Sequence, residues 1–247
     1  MTFLGIRSPW LQGVILVIGA LFAAATLGNV VYRGYIEGAF AGSRWGHDFD
    51  QWWEGGRLLL QGQNPYATRV PSAAPVLLPT PDKKVDVVEF FWYGCPHCNA
   101  FEPLLDGWAR RLSADVSFRR VHVGFGPVHQ VHQKLFYALE ETGLLETMHR
   151  KVFAAIHQQG KRLVTEPEIT AFLKDSGVDA AKVMASFKSF GVDTKATRAK
   201  QLTDAYKIDG VPAIGVQGRY YTSGSLNGSN ERMLQVVDFL IQRVRSG

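Results

Sequence analysis

The sequence has very little cysteine, with two residues in 247, at Cys95 and Cys98. A disulfide framework for a small secreted fold needs more cysteines at wider spacing. A structural zinc site usually has four Cys or His ligands, and only His97 and His122 lie nearby as further candidates. Covalent haem attachment needs a histidine directly after the second cysteine, where this chain has Asn99. We therefore predict no metal centre and expect the two sulfurs to carry the chemistry.

Charge of one sign is not concentrated either. The 27 Lys and Arg residues against 22 Asp and Glu give a net charge of +5, and the basic residues are scattered in short groups such as Lys83-Lys84 and Arg110-Arg111. A nucleic-acid interface usually shows a basic stripe with interleaved aromatic residues. The lack of such a stripe argues against a nucleic-acid partner.

Long apolar runs are limited to one, near the N-terminus. The segment from about residue 10 to 32 is mostly apolar and uncharged, and a membrane helix needs about 20 such residues. Arg7 before it favours a cytoplasmic N-terminus. Residues 1–32 therefore predict a membrane anchor; the alternative is a cleaved signal peptide, for which Ala23-Ala24-Ala25 offers small residues. Either way the rest of the chain is expected to be exported, where disulfide chemistry is permitted.

Residues 33–82 have no sustained helix or strand period, and prolines between residues 70 and 81 are typical of a semi-rigid spacer. Within them, residues 46–67 resemble a loop of membrane glycosyltransferases that use polyprenyl-phosphate sugars, and Asp48 or Asp50 would match that family's acidic residue. That family needs many further membrane helices, and this chain has no second apolar run of the required length. We therefore predict an extracytoplasmic spacer, followed by a domain at 83–247.

The domain begins with a pattern typical of an α/β fold. Val85–Trp92 is a β-branched and aromatic run that predicts a buried strand, and Pro96 opens a segment with apolar residues at helical spacing. Val116–Val123 predicts a second strand. Strand, helix and strand in this order indicate a βαβ unit with the two cysteines at the start of its helix.

The second half of the domain alternates helices with a short hairpin. Apolar stripes between about residues 127 and 192 predict a helical insertion, and Asp193 is expected to cap a helix that runs to Tyr206. A strand at residues 212–216 is predicted to pair across Gln217-Gly218 with residues 219–222, and an amphipathic helix closes the chain.

The motif Cys95-Pro96-His97-Cys98 has a spacing that brings two sulfurs into disulfide range. At the start of a helix, the outer Cys95 is expected to face solvent and act as nucleophile, and Cys98 to resolve the mixed disulfide. Free backbone N–H groups and the helix dipole favour a Cys95 thiolate, and His97 can add a donor or a cation. A favoured thiolate stabilises the reduced form, so the pair is predicted to be a net oxidant.

The segments VEFFWYGCPHC (88–98) and GVPA (210–213) resemble the DsbA family of the thioredoxin superfamily, and the resemblance covers about residues 83–245. It implies a thioredoxin fold split by the helical insertion, and a thiol:disulfide oxidoreductase whose redox-active Cys95–Cys98 disulfide needs no cofactor. It also implies a cis-proline at Pro212, which with Val211 binds substrate backbone.

The same resemblance matches Glu89 to a buried acid that relays protons to Cys98. Arg120 lies where the family commonly has a lysine, and arginine cannot release its proton, so a relay would have to use Glu89 and water. His122, two residues along the predicted strand, is as consistent with a packed core histidine as with a residue that tunes the dithiol. The helix-spaced His129 and His132 are expected on a solvated helix face.

The family implies reduced exported proteins as substrates, a DsbB-type quinone-linked membrane oxidase as the partner that restores the disulfide, and a periplasmic location. Retention of the N-terminal helix would tether the protein to the inner membrane, whereas cleavage would leave it soluble. Two alternatives remain at this point: a disulfide isomerase or reductase, and a membrane-tethered chaperone in which the cysteines are incidental.

Overall fold

A computed structural model of the chain describes residues 68–69 and 84–246. The predicted membrane segment, the glycosyltransferase-like segment and nearly all of the predicted spacer lie outside these residues. Within the described part, no helix combines the length and the apolar character needed to cross a membrane.

The described elements alternate in the order expected of an α/β domain. The strands are β1 (Thr68–Arg69), β2 (Val85–Phe91), β3 (Val116–His122), β4 (Ala213–Val216) and β5 (Tyr220–Ser223). The helices are α1 (Pro96–Ala109), α2 (Pro127–Glu141), α3 (Leu145–His157), α4 (Glu166–Asp175), α5 (Ala180–Phe187), α6 (Phe190–Tyr206), α7 (Gly224–Asn227) and α8 (Asn230–Arg245).

The strands form one mixed sheet in the order β1-β5-β4-β2-β3. β2 pairs in parallel with β3 and antiparallel with β4, so the predicted βαβ unit is confirmed. The hairpin between β4 and β5 is confirmed as well, and its turn residues Gln217 and Gly218 both have positive φ (53° and 64°), as a type I′ turn requires. The register places Glu89 of β2 opposite Arg120 of β3.

Strand β2 is buried on both faces, as its continuous apolar run predicts. Val85 and Val87 belong to a core cluster with α1 and α8, whereas Val88 and Phe90 belong to a larger cluster with the insertion helices. The Phe90 ring packs edge-on against Tyr206 of α6, with ring centroids 5.2 Å apart. Strand β2, which leads to the two cysteines, is therefore packed against a core cluster on each face of the sheet.

Helices occupy the predicted insertion, but the prediction that Asp193 caps the helix running to Tyr206 is wrong. Helix α6 begins at Phe190, because Ser189 rather than Asp193 caps it: the Ser189 side chain accepts a hydrogen bond from the Val192 N–H (3.1 Å). Asp193 instead lies in the first turn of α6, where its carboxylate pairs with Lys134 of α2 (2.9 Å). The boundary near residue 192 thus falls inside a helix.

Candidate active site

Cys95 is the N-cap of α1, and Pro96 is the first residue of the helix. The backbone N–H of Cys98 donates to Cys95 Sγ at 3.2 Å, because a helix leaves its first N–H groups without partners. Both cysteines are free thiols. Cys95 is 6% exposed and Cys98 is fully buried, so the outer sulfur is less open to solvent than the sequence suggests, whereas Pro96 and His97 are exposed.

The pKa values of the two thiols are shifted in opposite directions. A hydrogen bond from the Cys98 side chain, together with the backbone N–H groups of Cys98 and His97 and the charge of the His97 imidazole, lowers the pKa of Cys95 to about 6. Burial raises the pKa of Cys98 above its ordinary value, and the neighbouring Cys95 and Glu89 add to that increase. At neutral pH the negative charge therefore lies on Cys95.

The Val211–Pro212 peptide bond is cis, as the resemblance implies. The Cys95 thiol lies 3.5 Å from the Val211 carbonyl oxygen, so the loop before β4 is next to the reactive sulfur. A cavity of about 440 Å³ borders His97, Val211 and Pro212, and its other walls are mostly glycine and serine. The structure thus brings together four of the predicted site residues at one surface.

Glu89 and Arg120 meet below this surface. Arg120 Nε lies 3.1 Å from Glu89 Oε2, and Glu89 is 1% exposed. Burial raises the pKa of Glu89 well above its ordinary value, and the charge of Glu102 adds to the effect, while Arg120 opposes it. Arg120 also contacts two carboxylates of α1, those of Glu102 (2.7 Å) and Asp106 (2.6 Å).

His122 contacts the segment before the cysteines rather than a sulfur. Its Nε2 accepts a hydrogen bond from the Tyr93 N–H (3.2 Å), which leaves Nδ1 to donate to the Val123 carbonyl (2.9 Å). Burial lowers the pKa of His122 well below its ordinary value, so the ring is neutral. This geometry favours the packed-histidine alternative.

Tyr93 has two further histidine contacts, both from α3. His157 Nε2 donates to the Tyr93 carbonyl (2.8 Å), and the Tyr93 hydroxyl is hydrogen-bonded to His149 Nδ1 (2.9 Å). Tyr93 is therefore held at its N–H, its carbonyl and its side chain, two residues before Cys95.

The prediction that His132 lies on a solvated helix face is wrong. His132 is 2% exposed, accepts from Trp92 Nε1 (3.0 Å) and donates through Nε2 to the Arg162 carbonyl (2.9 Å). His129 lies against the Trp92 ring with the two ring planes tilted by 32° and their centroids 4.1 Å apart. His132 thus satisfies the indole N–H of Trp92, and His129 contacts the ring of the same residue, so both histidines pack against the segment before the cysteines.

Sequence reasoning missed Glu102, Asp106 and His149. The first two lie four residues apart on α1, so their spacing predicts a shared helix face. That face turns inward because Arg120 lies beneath it. His149 Nε2 is 3.2 Å from Glu102 Oε1, and no local pattern in the sequence marks this contact.

A dithiol at the first turn of the helix after a central strand, facing a cis-proline loop, defines a thiol:disulfide oxidoreductase of the thioredoxin fold. The model of the DSBA-like thioredoxin domain matches residues 86–236. The chain therefore belongs to the DsbA family.

Curated relatives and solved structures agree. The thiol:disulfide interchange protein DsbA of Azotobacter vinelandii is 43% identical over 177 residues, which cover 72% of this chain and 81% of the relative. That of Pseudomonas aeruginosa is 40% identical over 174 residues, or 70% and 82% of the two chains. The crystal structure of Pseudomonas aeruginosa DsbA superposes with a TM-score of 0.69 at 39% identity, covering 73% of this chain and 93% of that one.

Proposed function

We propose that this thiol:disulfide oxidoreductase is a net oxidant, in which Cys95 exchanges with substrate and Cys98 is the sulfur that leaves when the enzyme disulfide opens. The observation that carries the proposal is the contrast between the two thiols. Cys95 caps α1 and its pKa is lowered to about 6, whereas burial raises the pKa of Cys98. A stabilised thiolate favours the reduced pair, so the disulfide tends to be passed on to a substrate.

The reaction takes place in two exchanges. A substrate thiolate attacks Cys95 Sγ, the Cys95–Cys98 bond breaks, and Cys98 leaves and takes up a proton. A second substrate thiolate then attacks the first substrate sulfur, and Cys95 leaves as a thiolate. Two substrate thiols become one disulfide, and the enzyme takes up the two electrons. A low thiol pKa speeds this departure, because a more acidic thiol is a better leaving group.

Pro96 and His97 tune the Cys95 thiolate in this proposal. Pro96 begins the helix without needing an N–H partner, and His97 contributes its backbone N–H and its imidazole charge. Val211 and Pro212 receive extended substrate backbone, since the Val211 carbonyl lies beside Cys95 Sγ.

Glu89 supplies the proton that Cys98 takes up. It is buried, its charge raises the pKa of Cys98, and its own raised pKa favours the protonated form. Arg120 holds a fixed positive charge next to it. His122 has a packing role, because both of its ring nitrogens are engaged with backbone groups.

The substrates in this proposal are reduced exported proteins, and a DsbB-type quinone-linked membrane oxidase restores the disulfide. The location is the periplasm, with residues about 10–32 as an inner-membrane anchor, residues 33–82 as a spacer and 83–247 as the catalytic domain. The alternative for the N-terminus is a cleaved signal segment that leaves a soluble protein.

The test is oxidation of a reduced, unfolded substrate protein by the oxidised full chain, followed by counting substrate thiols, together with the equilibrium potential against glutathione. We expect stoichiometric transfer and a potential above the roughly −270 mV of thioredoxin. The Cys98→Ser variant, which cannot hold the disulfide, is the control. A potential near that of thioredoxin would overturn the oxidising direction, and substrate protection that survives Cys95→Ser would indicate a chaperone instead.

A further inference from the structure

A turn of four residues joins β2 to α1 and leads directly to the reactive sulfur. The Cys95 N–H donates to the Trp92 carbonyl (3.0 Å), so Tyr93 and Gly94 are the two central residues of a hydrogen-bonded β-turn. Both central residues have negative φ, whereas a type II turn needs positive φ at the second of them. The Tyr93–Gly94 peptide therefore has the orientation found in a type I turn.

Gly94 is needed in this turn for a steric reason. A Cβ at this position would lie 2.6 Å from Trp92 Cε2, well inside the roughly 3.5 Å at which carbon atoms meet. The indole is not free to move aside, because its Nε1–H donates to His132 Nδ1 (3.0 Å) and His129 lies against its ring. Any larger residue at position 94 would therefore clash with Trp92.

The same glycine gives the turn a second accessible conformation. Glycine adopts positive φ about as readily as negative φ. A flip of the central peptide converts a type I turn into a type II turn, and it needs only positive φ at the residue that is glycine here. The flip reverses the directions of the Tyr93 carbonyl and the Gly94 N–H, and the next residue is Cys95.

His157 of α3 holds the central peptide in the observed orientation. Its Nε2 lies 2.8 Å from the Tyr93 carbonyl oxygen, and a carbonyl can only accept, so the ring donates. A neutral ring with its proton on Nε2 and a charged ring can both make this bond. The ring itself is packed against Phe153 of the same helix, with centroids 6.0 Å apart. A flip of the peptide would break the bond.

The other two histidines that contact Tyr93 do not restrain this peptide. His122 accepts from the Tyr93 N–H, which belongs to the preceding peptide, and His149 contacts the phenol hydroxyl. Within the part of the chain that the structure describes, the side chain bonded to the Tyr93 carbonyl is that of His157.

The position of the Cys95 sulfur depends on the residue before it. Cys95 Sγ lies 3.2 Å from the Cys98 N and 3.5 Å from the Val211 carbonyl oxygen. A turn that exchanges between two conformations at Gly94 would spread the position of Cys95 and lengthen these contacts on average. The bond from the Cys98 N–H would then stabilise the thiolate less, because a hydrogen bond weakens steeply with poorer geometry.

We propose that His157 is a positioning residue, whose hydrogen bond keeps the Tyr93–Gly94 peptide in one orientation and so keeps Cys95 Sγ on the Cys98 N–H. Helix α3, which belongs to the helical insertion, thus acts on the dithiol through one bond to the backbone. The use of Cys95 as the attacked sulfur rests on the proposed function, but the fixed orientation of the turn does not.

The test uses two measurements on the reduced full chain. The first is the φ-dependent coupling between the Gly94 amide and α protons in NMR spectra, and the second is the titration of the Cys95 thiolate by ultraviolet absorbance. His157→Leu removes the donor, so the Gly94 coupling should change and the pKa of Cys95 should rise, by about half a unit. His157→Asn is too short to reach the carbonyl and should behave alike, so the test stands if one variant does not fold.

His157→Gln is the conservative variant, because its side-chain amide can still donate, and both measurements should return toward those of the unaltered protein. Ile156→Ala is the matched control, since it removes a partly buried side chain of the same helix without removing a hydrogen bond to the turn. Both measurements should be unchanged in it.

An unchanged Gly94 coupling in His157→Leu or His157→Asn would overturn the proposal, and so would an equal change in Ile156→Ala. A changed coupling with an unchanged Cys95 titration would overturn it as well, because the turn would then not set the position of the sulfur. Neither measurement involves a substrate or a redox partner, so failure of the proposed oxidising direction would leave both results unaffected.

Discussion

The acidity of Cys95 predicts how the reduction potential of this protein changes with pH. Below pH 6 both thiols of the reduced form hold protons, so the potential should fall by about 59 mV per pH unit, two protons for two electrons. Above pH 6, Cys95 has lost its proton and Cys98 has not. The slope should then halve to about 30 mV per unit.

The size of the effect at neutral pH follows from the same pKa. A thiol with a pKa of about 6 is roughly ten-elevenths ionised at pH 7, which stabilises the reduced form by about 1.4 kcal/mol relative to a thiol that stays protonated. For a two-electron couple this corresponds to about 30 mV. The thiolate therefore accounts for a modest oxidising bias at pH 7 that grows as the pH rises toward 9.

The assay is equilibration of the full chain with glutathione or dithiothreitol buffers between pH 5 and pH 8.5, with the redox state read by alkylation of free thiols. His97→Ser keeps the backbone N–H but loses the imidazole charge, so the break should move upward by less than one unit. A shift of half a unit would lower the potential at pH 7 by about 12 mV. Lys200→Ser, which removes an exposed cation paired with Asp204, is the control. A slope of about 59 mV per unit that continues to pH 8 would refute the reasoning.

Three further predictions concern the stability of the folded domain. Replacing Arg120 with Met should lower the free energy of unfolding in urea at pH 7 by about 3–5 kcal/mol, because it leaves buried carboxylates unpaired. Arg120→Lys should lower it by less, and equal losses for the two variants would contradict the prediction. Gly215→Ala places a Cβ 2.4 Å from the Tyr206 ring and should cost about 1–3 kcal/mol, whereas Gly224→Ala, with open space around it, should not. The pKa of Cys95 is lowered from 9.0 to about 6, so its thiolate should stabilise the reduced fold by up to about 4 kcal/mol above pH 9. This stabilisation should be lost as the pH falls through 6. A urea-unfolding profile of the reduced protein that is flat over this range would contradict the prediction.

The parts of the site that lie in continuous segments could be predicted from the sequence. The run before Cys95 is apolar enough to be a buried strand, and Pro96 marks the first turn of a helix, so the sequence pattern alone places the dithiol correctly. The cis bond at Pro212 followed from the resemblance rather than from any local pattern. The cap of α6 at Ser189 was missed because Asp193 offers an equally good capping side chain four residues later.

The contacts that join distant elements could not be predicted in this way. Arg120 was expected to partner Glu89, and it does, but nothing in the strand pattern indicates that the same guanidinium also reaches α1. The histidines of α2 and α3 look like polar residues on amphipathic helices. Their burial became evident only when the packing of the insertion against the Trp92-Tyr93 segment was known.

Arginine rather than lysine at position 120 limits what the buried charges can do. A lysine beside a buried acid can give up its proton, and the pair can then become neutral without any other group. An arginine fixes one positive charge permanently, and its planar fork holds Glu102 and Asp106 as well as Glu89. Arg120 therefore cannot give a proton to Glu89 or take one from it.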